Sequence, residues 1–316
     1  MQQQPLFSII IPLYNKEKYI LKTLQSVLQQ DYTNFEIVLV NDCCTDNSLQ
    51  QVATVNDDRI VLIHHPHNKG LAASRNTGIT NAKGAIICLL DADDLYEPNF
   101  LSTIYNLQAS FPEADFYGTD YYEQYSFGKL RTNKTVDTTK ENTSFLVEDF
   151  FKYNLGQPII CQSSLTFKKS VLDTTEDLFD TNINYAEDVD FYIKAFSTYK
   201  LAYCFKPLAT YRNDIPNQMV YSKISGKNYP DFSSYDKYSK DNTSLQKYLD
   251  FQRYSFASNL RLEGNKHEAN KLIAQINFSN INSKQRLLVR SPLFVVKMIK
   301  ATKRFLMKQN IKVSTY

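Results

Sequence analysis

The fold of this chain is decided by one stretch, Ile86-Ile87-Cys88-Leu89-Leu90-Asp91-Ala92-Asp93-Asp94. Its five apolar residues predict a strand that is buried on both faces, as in a parallel sheet covered by helices. Open α/β sheets bind their ligands at the carboxyl ends of such strands. The three carboxylates repel one another, so we expect a cation beside them. Oxygen donors favour Mg²⁺ or Mn²⁺ together with substrate phosphates, and the alternative is a solvated acidic turn.

Strand and helix patterns alternate along the first hundred residues, which predicts an α/β fold with a parallel sheet covered on both sides. The apolar spacing predicts strands at 7–12, 35–40, 59–63, 86–90, 115–127 and 163–167. Helices are predicted at 17–29, 48–55, 71–81, 98–110, 148–153, 187–196, 245–262, 266–276 and 292–310. Residues 128–145 and 213–243 are polar and are expected to form loops.

Three of the predicted strands end in chemically active residues, namely Pro12-Leu13-Tyr14-Asn15, Asn41-Asp42 and Asp91-Ala92-Asp93-Asp94. In a parallel sheet these ends share one edge, so we expect a single nucleotide crevice. There Tyr14 would cover a base, Asp42 would accept N3–H of uracil, Asp91 would bind a ribose hydroxyl and Asp93 would hold the metal ion. The alternative for Asp42 is a helix cap or an Asx turn.

Two further groups are candidates for the same site. Arg75 lies in a predicted helix that starts with Gly70 and small residues, and a buried arginine should meet the carboxylate cluster or the nucleotide. Glu187 and Asp188 stand at the start of another predicted helix, where a carboxylate can act as a general base toward a hydroxyl. The alternatives are a surface arginine and an acidic helix start that simply matches the helix dipole.

These residues together resemble the family 2 glycosyltransferases with the GT-A fold over residues 6–212. The matching motifs are Pro12-Leu13-Tyr14-Asn15, Val40-Asn41-Asp42-Cys43-Cys44-Thr45-Asp46, Gly70 to Asn76, Asp91-Ala92-Asp93, Phe179-Asp180, Glu187-Asp188 and Tyr211-Arg212. Two departures stand out. Cys43-Cys44 replaces the family's Gly-Ser pair, which puts the local turn geometry in question, and Asn213-Asp214 follows Tyr211-Arg212 where many members carry a histidine.

The resemblance implies an inverting transfer from a UDP-sugar, with Mn²⁺ or Mg²⁺, to a hydroxyl of a glycan or lipid-linked acceptor, typically in bacterial surface polysaccharide or lipooligosaccharide synthesis. It assigns the catalytic base to Asp188, the metal ion to Asp93, and nucleotide-sugar binding to Pro12, Tyr14, Asn15, Asp42, Arg75, Asp91 and Ala92. Together with the order of predicted elements along the chain, it suggests a GT-A domain at 1–227, with a nucleotide-binding half at 1–100 and an acceptor half at 101–227. A helical C-terminal region at 228–316 lies outside the resemblance.

Two other functions remain open at this point. A sugar nucleotidyltransferase also uses paired carboxylates and Mg²⁺ on an α/β sheet, but the first strand is not followed by a glycine-rich, basic phosphate loop. A non-catalytic module that binds sugar nucleotides or glycans is the other alternative, and the presence of Asp91, Asp93 and Asp188 argues against it. No nucleic acid partner is expected.

The C-terminal residues differ sharply in charge from the rest of the chain. Ten of the 36 basic residues lie beyond Glu268, whereas none of the 33 acidic residues does. The last predicted helix carries a basic stripe and an apolar stripe of Val295, Ile299 and Leu306, a pattern typical of helices on membrane surfaces. We expect residues 284–312 to meet an anionic membrane, and the alternative is a helix that caps the body.

Composition indicates a cytoplasmic protein. The first residues, Met1-Gln2-Gln3-Gln4-Pro5, lack the basic and apolar regions of a secretory signal, and no stretch approaches the ~18–20 apolar residues of a membrane span. The five cysteines show no metal-ligand spacing, and their odd number favours a reducing compartment. We therefore expect the cytoplasm, with peripheral docking on the inner face of the plasma membrane.

Overall fold

The computed structural model describes residues 6–130, 138–174, 178–213, 215, 218–219 and 222–308. Within these ranges the chain forms two compact units. The first unit contains the described residues up to 130 together with 138–148 and 160–213, and the second contains 149–159 and the described residues from 215 onward. The residues predicted to carry the chemistry all belong to the first unit.

The strands and helices of the first unit follow one another as β1 Phe7–Leu13, α1 Ile20–Leu28, β2 Phe35–Asn41, α2 Ser48–Ala53, β3 Ile60–His64, α3 Leu71–Asn81, β4 Ile86–Leu89, β5 Leu95–Tyr96, α4 Phe100–Ser110, β6 Phe116–Tyr125, β7 Gly128–Leu130 and β8 Ser144–Val147. After α5 (Phe150–Tyr153) in the second unit, the first unit continues with β9 Leu165–Lys168, α6 Glu187–Phe196 and β10 Leu201–Arg212. Every residue of β1, β2 and β4 is buried, so the prediction of strands covered on both faces is confirmed.

The described strands form one ten-stranded sheet in the order β3-β2-β1-β4-β9-β6-β10-β5, with β7 beside β6 and β8 beside β10. Strands β1 to β4 pair in parallel, as predicted. Strand β9 runs antiparallel to both β4 and β6, so the sheet also contains antiparallel pairs. That direction brings the short turn that precedes β9, Gln162–Ser164, to the edge at which β4 ends.

Some elements of the first unit differ from the prediction. The loop expected at 128–145 contains β7 and the first half of β8. Strand β10 is absent from the sequence prediction, because Pro207 interrupts its pattern. In the structure the pairing of β10 with β6 shifts register on both sides of Pro207.

The second unit is helical and contains α7 Asp236–Ser239, α8 Thr243–Glu263, α9 Lys266–Ala274, α10 Ser283–Arg290 and α11 Leu293–Lys308. The helices predicted at 245–262 and 266–276 are confirmed as α8 and α9, and Gly264 between them has a φ of 89°, which glycine adopts without strain. Helix α10 is absent from the sequence prediction. Arg261 of α8 donates to the carbonyl oxygens of Leu288 and Val289 at 3.0 and 2.6 Å and so satisfies the end of α10.

Helix α11 exposes only part of the apolar stripe that was predicted to face a membrane. Val295 and Leu306 of that stripe are half-buried, whereas Ile299 is 44% exposed. Phe294, Met298 and Phe305, which were not in the predicted stripe, are exposed at 71%, 61% and 62%. Spacing alone does not reveal which apolar residues of a helix pack against its own unit. The end of the basic segment, from residue 309, lies outside the described residues.

Candidate active site

Helix α3 approaches the sheet unusually closely and so carries Arg75 to the edge where the strands end. A methyl group added at Gly78 would lie 2.3 Å from Cγ2 of Ile10, so no larger residue fits without movement. Ala72 and Ser74 are buried on the same helix. Gly70 precedes the helix with a φ of 87°, a conformation that side chains other than glycine rarely adopt. The absence of a side chain at Gly78 therefore allows α3 to pack closely on β1.

The Arg75 guanidinium lies between two carboxylates and is only 2% exposed. Nη2 donates to Asp91 Oδ1 at 2.9 Å, and Nη1 donates to Glu187 Oε1 at 2.8 Å. The guanidinium also lies over the ring of Phe179, 5.1 Å from its centre. Burial alone would lower the pKa of Arg75, but the charges of Asp91 and Glu187 outweigh it and raise the pKa. Arg75 therefore joins the carboxylate cluster, as expected, and remains a fixed positive charge within it.

A second cation, Lys16, was not among the candidates from the sequence. Its ammonium contacts Oδ2 of Asp93, the carboxylate expected to hold the metal ion. Its backbone N–H donates to Ser48 Oγ at 2.7 Å. The sequence signal that could have revealed it is its position directly after the Pro12–Asn15 stretch, at the end of β1. Two side chains, Arg75 and Lys16, thus provide the positive charge that was expected beside the acidic end of β4.

The carboxylate of Asp94 is enclosed by other parts of the protein and does not open onto the site. It is completely buried, accepts from Ser163 Oγ at 2.5 Å and from the backbone N–H of Arg212 at 2.8 Å. Burial, with the charges of Asp93 and Asp91 added to it, raises the pKa of Asp94 well above its usual range. Ser163 also accepts from the backbone N–H of Asp91 at 3.1 Å. Asp94 and Ser163 together connect the end of β4 to the end of β10.

Asp42 is buried and organises the loop before α3. Its carboxylate accepts from the backbone N–H groups of Lys69 and Gly70 at 2.8 and 2.9 Å, and it contacts Nδ1 of His65 at 2.8 Å. The following loop is bound instead by the neighbour Asn41, whose Oδ1 accepts from the backbone N–H of Cys44, three residues on, at 3.0 Å. Asp42 thus lies at the predicted edge with its oxygens directed to the α3 entry, and its contact with uracil stays a prediction.

The remaining nucleotide candidates occupy the same edge. Pro12 is buried within β1, and Ala92 is buried just after the end of β4. Tyr14 is 46% exposed. Asn15 exchanges hydrogen bonds with Thr45, donating to its hydroxyl at 3.1 Å and accepting from its backbone N–H at 2.8 Å. This pair connects the ends of β1 and β2. The exposed ring of Tyr14 has the accessibility that a base-covering residue requires.

Three non-glycine residues at this edge have positive φ values: Asn15 at 51°, Cys43 at 65° and Ala186 at 59°. Such conformations cost of the order of 1–3 kcal/mol each and are concentrated at functional sites. Cys43 stands where the family carries glycine, and it keeps a backbone conformation that glycine adopts without strain. A cysteine at this position therefore adopts a positive φ that glycine would adopt more easily.

Asp188 lies in the first turn of α6, next to Glu187. The side chain is half-buried, and its Oδ1 accepts from the backbone N–H of Val189 at 2.9 Å. Burial and the neighbouring charge of Glu187 raise the pKa of Asp188 to about 7, while the Arg75 charge opposes them. Arg75 contacts Glu187 and Asp91, and the charges of all three residues act on Asp188, so Asp188 belongs to the same cluster as the acidic end of β4.

The donor set fits a metal ion that arrives with a nucleotide. Within the residues that the structure describes, no three His, Cys, Asp or Glu side chains are grouped so as to hold an ion by themselves. Mg²⁺ and related ions usually need only one or two carboxylates when substrate phosphates supply further oxygens. Asp93, with Asp91 two residues before it, provides that number of carboxylates at the end of β4.

Comparison with known structures supports the same class of fold. The protein superposes on TarS of S. aureus, residues 1–349 in complex with UDP-GlcNAc, with a TM-score of 0.59 and 18% identity, over 96% of this chain and 81% of that one. The structure thus has the GT-A type of fold. Residues 8–175 match the model for "Glycosyl transferase family 2", and the chain belongs to that family.

Relatives by sequence agree with this assignment. A protein of Escherichia coli K12 named as a candidate colanic acid biosynthesis glycosyl transferase, WcaA, is 33% identical over 202 residues, which are 63% of this chain and 69% of WcaA. The uncharacterized glycosyltransferase EpsJ of Bacillus subtilis is 31% identical over 195 residues, which are 61% of this chain and 56% of EpsJ.

Proposed function

We propose that this glycosyltransferase moves a sugar from a UDP-sugar to a hydroxyl of a glycan or lipid-linked acceptor, with inversion at the anomeric carbon. The observation that carries the proposal is Asp188, a carboxylate with a pKa of about 7 in the same cluster as the acidic end of β4. A general base works best when its pKa is near the operating pH, and this carboxylate meets that condition.

The chemistry assigned to Asp188 is removal of one proton. The acceptor oxygen attacks the anomeric carbon from the side opposite the diphosphate, and Asp188 takes the hydroxyl proton as the new bond forms. The bond to the diphosphate breaks in the same step, so a single displacement inverts the anomeric centre. Arg75 holds Glu187 and Asp91 in fixed positions around the reacting sugar, because each of its two terminal nitrogens is committed to one carboxylate.

The other end of the site is assigned to the nucleotide. Tyr14 covers the base, Asp42 and the loop it orders lie against the uracil, and Asp91 binds a ribose hydroxyl, with Pro12, Asn15 and Ala92 shaping the crevice. When bound at Asp93, Mn²⁺ or Mg²⁺ would neutralise the charge of the departing diphosphate. The complexes of TarS with UDP and with UDP-GlcNAc support a UDP-sugar as donor for this protein as well.

The candidate assignment of WcaA to colanic acid biosynthesis supports an acceptor in a surface polysaccharide pathway, or in lipooligosaccharide synthesis. Such acceptors are often attached to lipid, and the second unit has a surface suited to lipid. Phe294, Met298 and Phe305 are exposed and lie on one side of α11, because residues four and seven apart share a helix face. Neither α11 nor any other helix in the described part of the chain is long and apolar enough to cross a membrane.

We therefore assign 284–312 to peripheral docking on an anionic membrane at its cytoplasmic face. The charge of this segment fits, since ten basic residues and no acidic residue follow Glu268. Each basic residue near an anionic surface contributes about 1 kcal/mol of attraction, and the exposed aromatic and methionine side chains would then enter the interface.

A donor screen tests the proposed reaction. The protein is incubated with a panel of UDP-, GDP-, CDP- and dTDP-sugars and Mn²⁺, with lipid-linked and free glycans as acceptors, and the products are separated. Free UDP together with a glycosylated acceptor is the expected result. Release of pyrophosphate would indicate a nucleotidyltransferase instead, and binding of a sugar nucleotide without any product would indicate a non-catalytic module.

A further inference from the structure

Lys16 contacts the carboxylate that we assign to the metal ion, since its ammonium lies against Oδ2 of Asp93. We infer that Lys16 is a resident cation that holds Asp93 until a nucleotide diphosphate arrives, and that it then leaves Asp93 to the divalent ion and binds the diphosphate. The inference rests on the proposed metal-dependent function. It adds a residue that sets how metal and nucleotide binding depend on each other.

The main chain around Lys16 is held in place, so the contact does not depend on a loosely placed loop. The backbone N–H of Lys16 donates to the hydroxyl of Ser48, which is completely buried. The preceding residue, Asn15, is bound twice to Thr45. The Lys16 side chain is nevertheless 22% exposed, so its flexible stem can turn without any change in the backbone.

The position of Asp93 allows one close cation at a time. Its side chain is only 9% exposed, and Asp91 and Asp94 flank it in sequence, so leaving its charge without a counter-ion is costly. Lys16 supplies that counter-ion in the structure. A divalent ion on the same carboxylate would lie within a few ångströms of the ammonium, and the two positive charges would repel each other. An ion that binds without nucleotide must therefore displace Lys16.

A nucleotide diphosphate removes this conflict because it brings negative charge of its own. A lysine ammonium is a usual partner for phosphate, and its three N–H groups can follow the phosphate oxygens as they move. With the diphosphate in place, the ion binds Asp93 and phosphate together, and Lys16 exchanges one anion for another. Thermodynamic linkage then requires that nucleotide raises the affinity for the ion and that the ion raises the affinity for nucleotide by the same factor.

Calorimetric titrations of the full chain test the inference without any need for turnover. Mn²⁺ is titrated into the protein alone and UDP is titrated with Mn²⁺ or with EDTA, for the wild type, Lys16→Met and Lys18→Met. Lys18 is an exposed lysine two residues away and controls for loss of one positive charge. Thermal unfolding of each variant confirms that it is folded.

In Lys16→Met, the affinity for Mn²⁺ without nucleotide should rise about 5- to 150-fold, the usual range of coupling between two ligands. The affinity of the same variant for UDP with Mn²⁺ should fall about tenfold or more, because a charged hydrogen bond to the diphosphate is lost. Lys18→Met should match the wild type in both titrations.

An unchanged Mn²⁺ affinity in Lys16→Met would show that Lys16 does not compete with the ion, and an unchanged UDP affinity would show that it does not reach the diphosphate. Either result overturns the inference while metal-dependent donor binding in the wild type stands. Equal UDP affinity of the wild type in Mn²⁺ and in EDTA would instead refute the proposed metal dependence itself.

Discussion

Arg75 and Glu187 are hydrogen-bonded at 2.8 Å although 112 residues separate them in the chain. The same guanidinium is bound to Asp91, so one buried cation connects the acidic end of β4 to the start of α6. Removing one partner from such a buried pair leaves an uncompensated charge, which typically costs ~3–5 kcal/mol. The donor side and the proposed catalytic base are therefore joined in one electrostatic unit.

Asp188→Asn should lower turnover by about 10²–10⁴ and leave UDP affinity almost unchanged, because a general base acts on the acceptor and not on the nucleotide. Turnover is measured with the donor found in the screen, and UDP affinity by calorimetry. Asp58→Asn, at an exposed surface turn, removes the same charge and should have wild-type turnover. Loss of UDP binding in Asp188→Asn would make this residue part of the donor site instead.

The same variant has a checkable effect on stability. The pKa of Asp188 is about 7 in the folded protein, whereas the ordinary pKa of an aspartate is 3.8. The ionised carboxylate is therefore less favourable in the folded state than in the unfolded chain, and it destabilises the fold above pH 7. Asp188→Asn should therefore raise the unfolding free energy by ~1–3 kcal/mol above pH 7, and the gain should fade as the pH falls toward 4. A variant that is less stable at about pH 8 would contradict the assigned shift.

The pH dependence of kcat/KM should show an acid limb at about pH 7, because only the ionised carboxylate of Asp188 accepts a proton. Arg75→Gln should move this limb to higher pH, because the Arg75 charge opposes the rise in the pKa of Asp188. Circular dichroism is needed to confirm that the variant is folded. A limb at the same pH in both proteins would show that another group controls the profile.

Asp93→Asn should make UDP affinity the same in Mn²⁺ and in EDTA, because the ion loses its proposed ligand. The matched comparison is Asp94→Asn, one residue further on. Asp94 accepts from Ser163 and from the backbone of Arg212, so its replacement should lower the melting temperature. Calorimetry and thermal unfolding separate the two roles. Metal-dependent UDP binding that survives in Asp93→Asn would remove Asp93 from the metal site.

Gly70→Ala should weaken UDP binding and destabilise the fold by ~1–3 kcal/mol through backbone strain alone. The added methyl group would contact nothing within 4 Å, but the φ of 87° disfavours alanine. The loop that donates to Asp42 should be displaced as a result. Gly128→Ala, also at positive φ and without contacts, should lose stability and keep UDP affinity. Equal UDP affinity in the two variants would argue against a role for the Asp42 loop.

Combined replacement of Phe294, Met298 and Phe305 by serine should abolish sedimentation with anionic liposomes. Leu62→Ser removes an exposed apolar side chain from β3 and should not affect it. Binding of the wild type should weaken as salt is raised, since surface charges are screened over ~8–10 Å at physiological ionic strength. If the triple variant sediments like the wild type, this side of α11 does not enter the lipid.

The sequence was sufficient for the features that continuous apolar runs determine. Strands β1, β2 and β4 are buried throughout, so their apolar character and the polar residues at their ends are visible without the structure. The contacts of the site were not visible in the same way. Lys16 reads as a solvated residue before a helix, and its partner Asp93 lies 77 residues away. Asp42 is bound mostly by backbone N–H groups, which carry no sequence signal.

The same limit explains the errors. Pro207 hides β10, because a proline argues against a strand although a shift of register accommodates it. The two apolar sides of α11 have similar spacing, and only packing distinguishes the buried Val296 from the exposed Phe294 and Met298. Both cases depend on contacts between residues far apart in sequence.

The positive φ values of Asn15, Cys43 and Ala186 limit how far the enzyme can be made more thermostable at these positions. A search for thermostable variants would favour glycine at these three positions, because it relieves the folded backbone. The relief would be partly cancelled by the greater freedom of the unfolded chain. The turns that hold Asn15, Asp42 and Asp188 would also become more pliable, so heat resistance gained there would be exchanged for a less well-defined catalytic geometry.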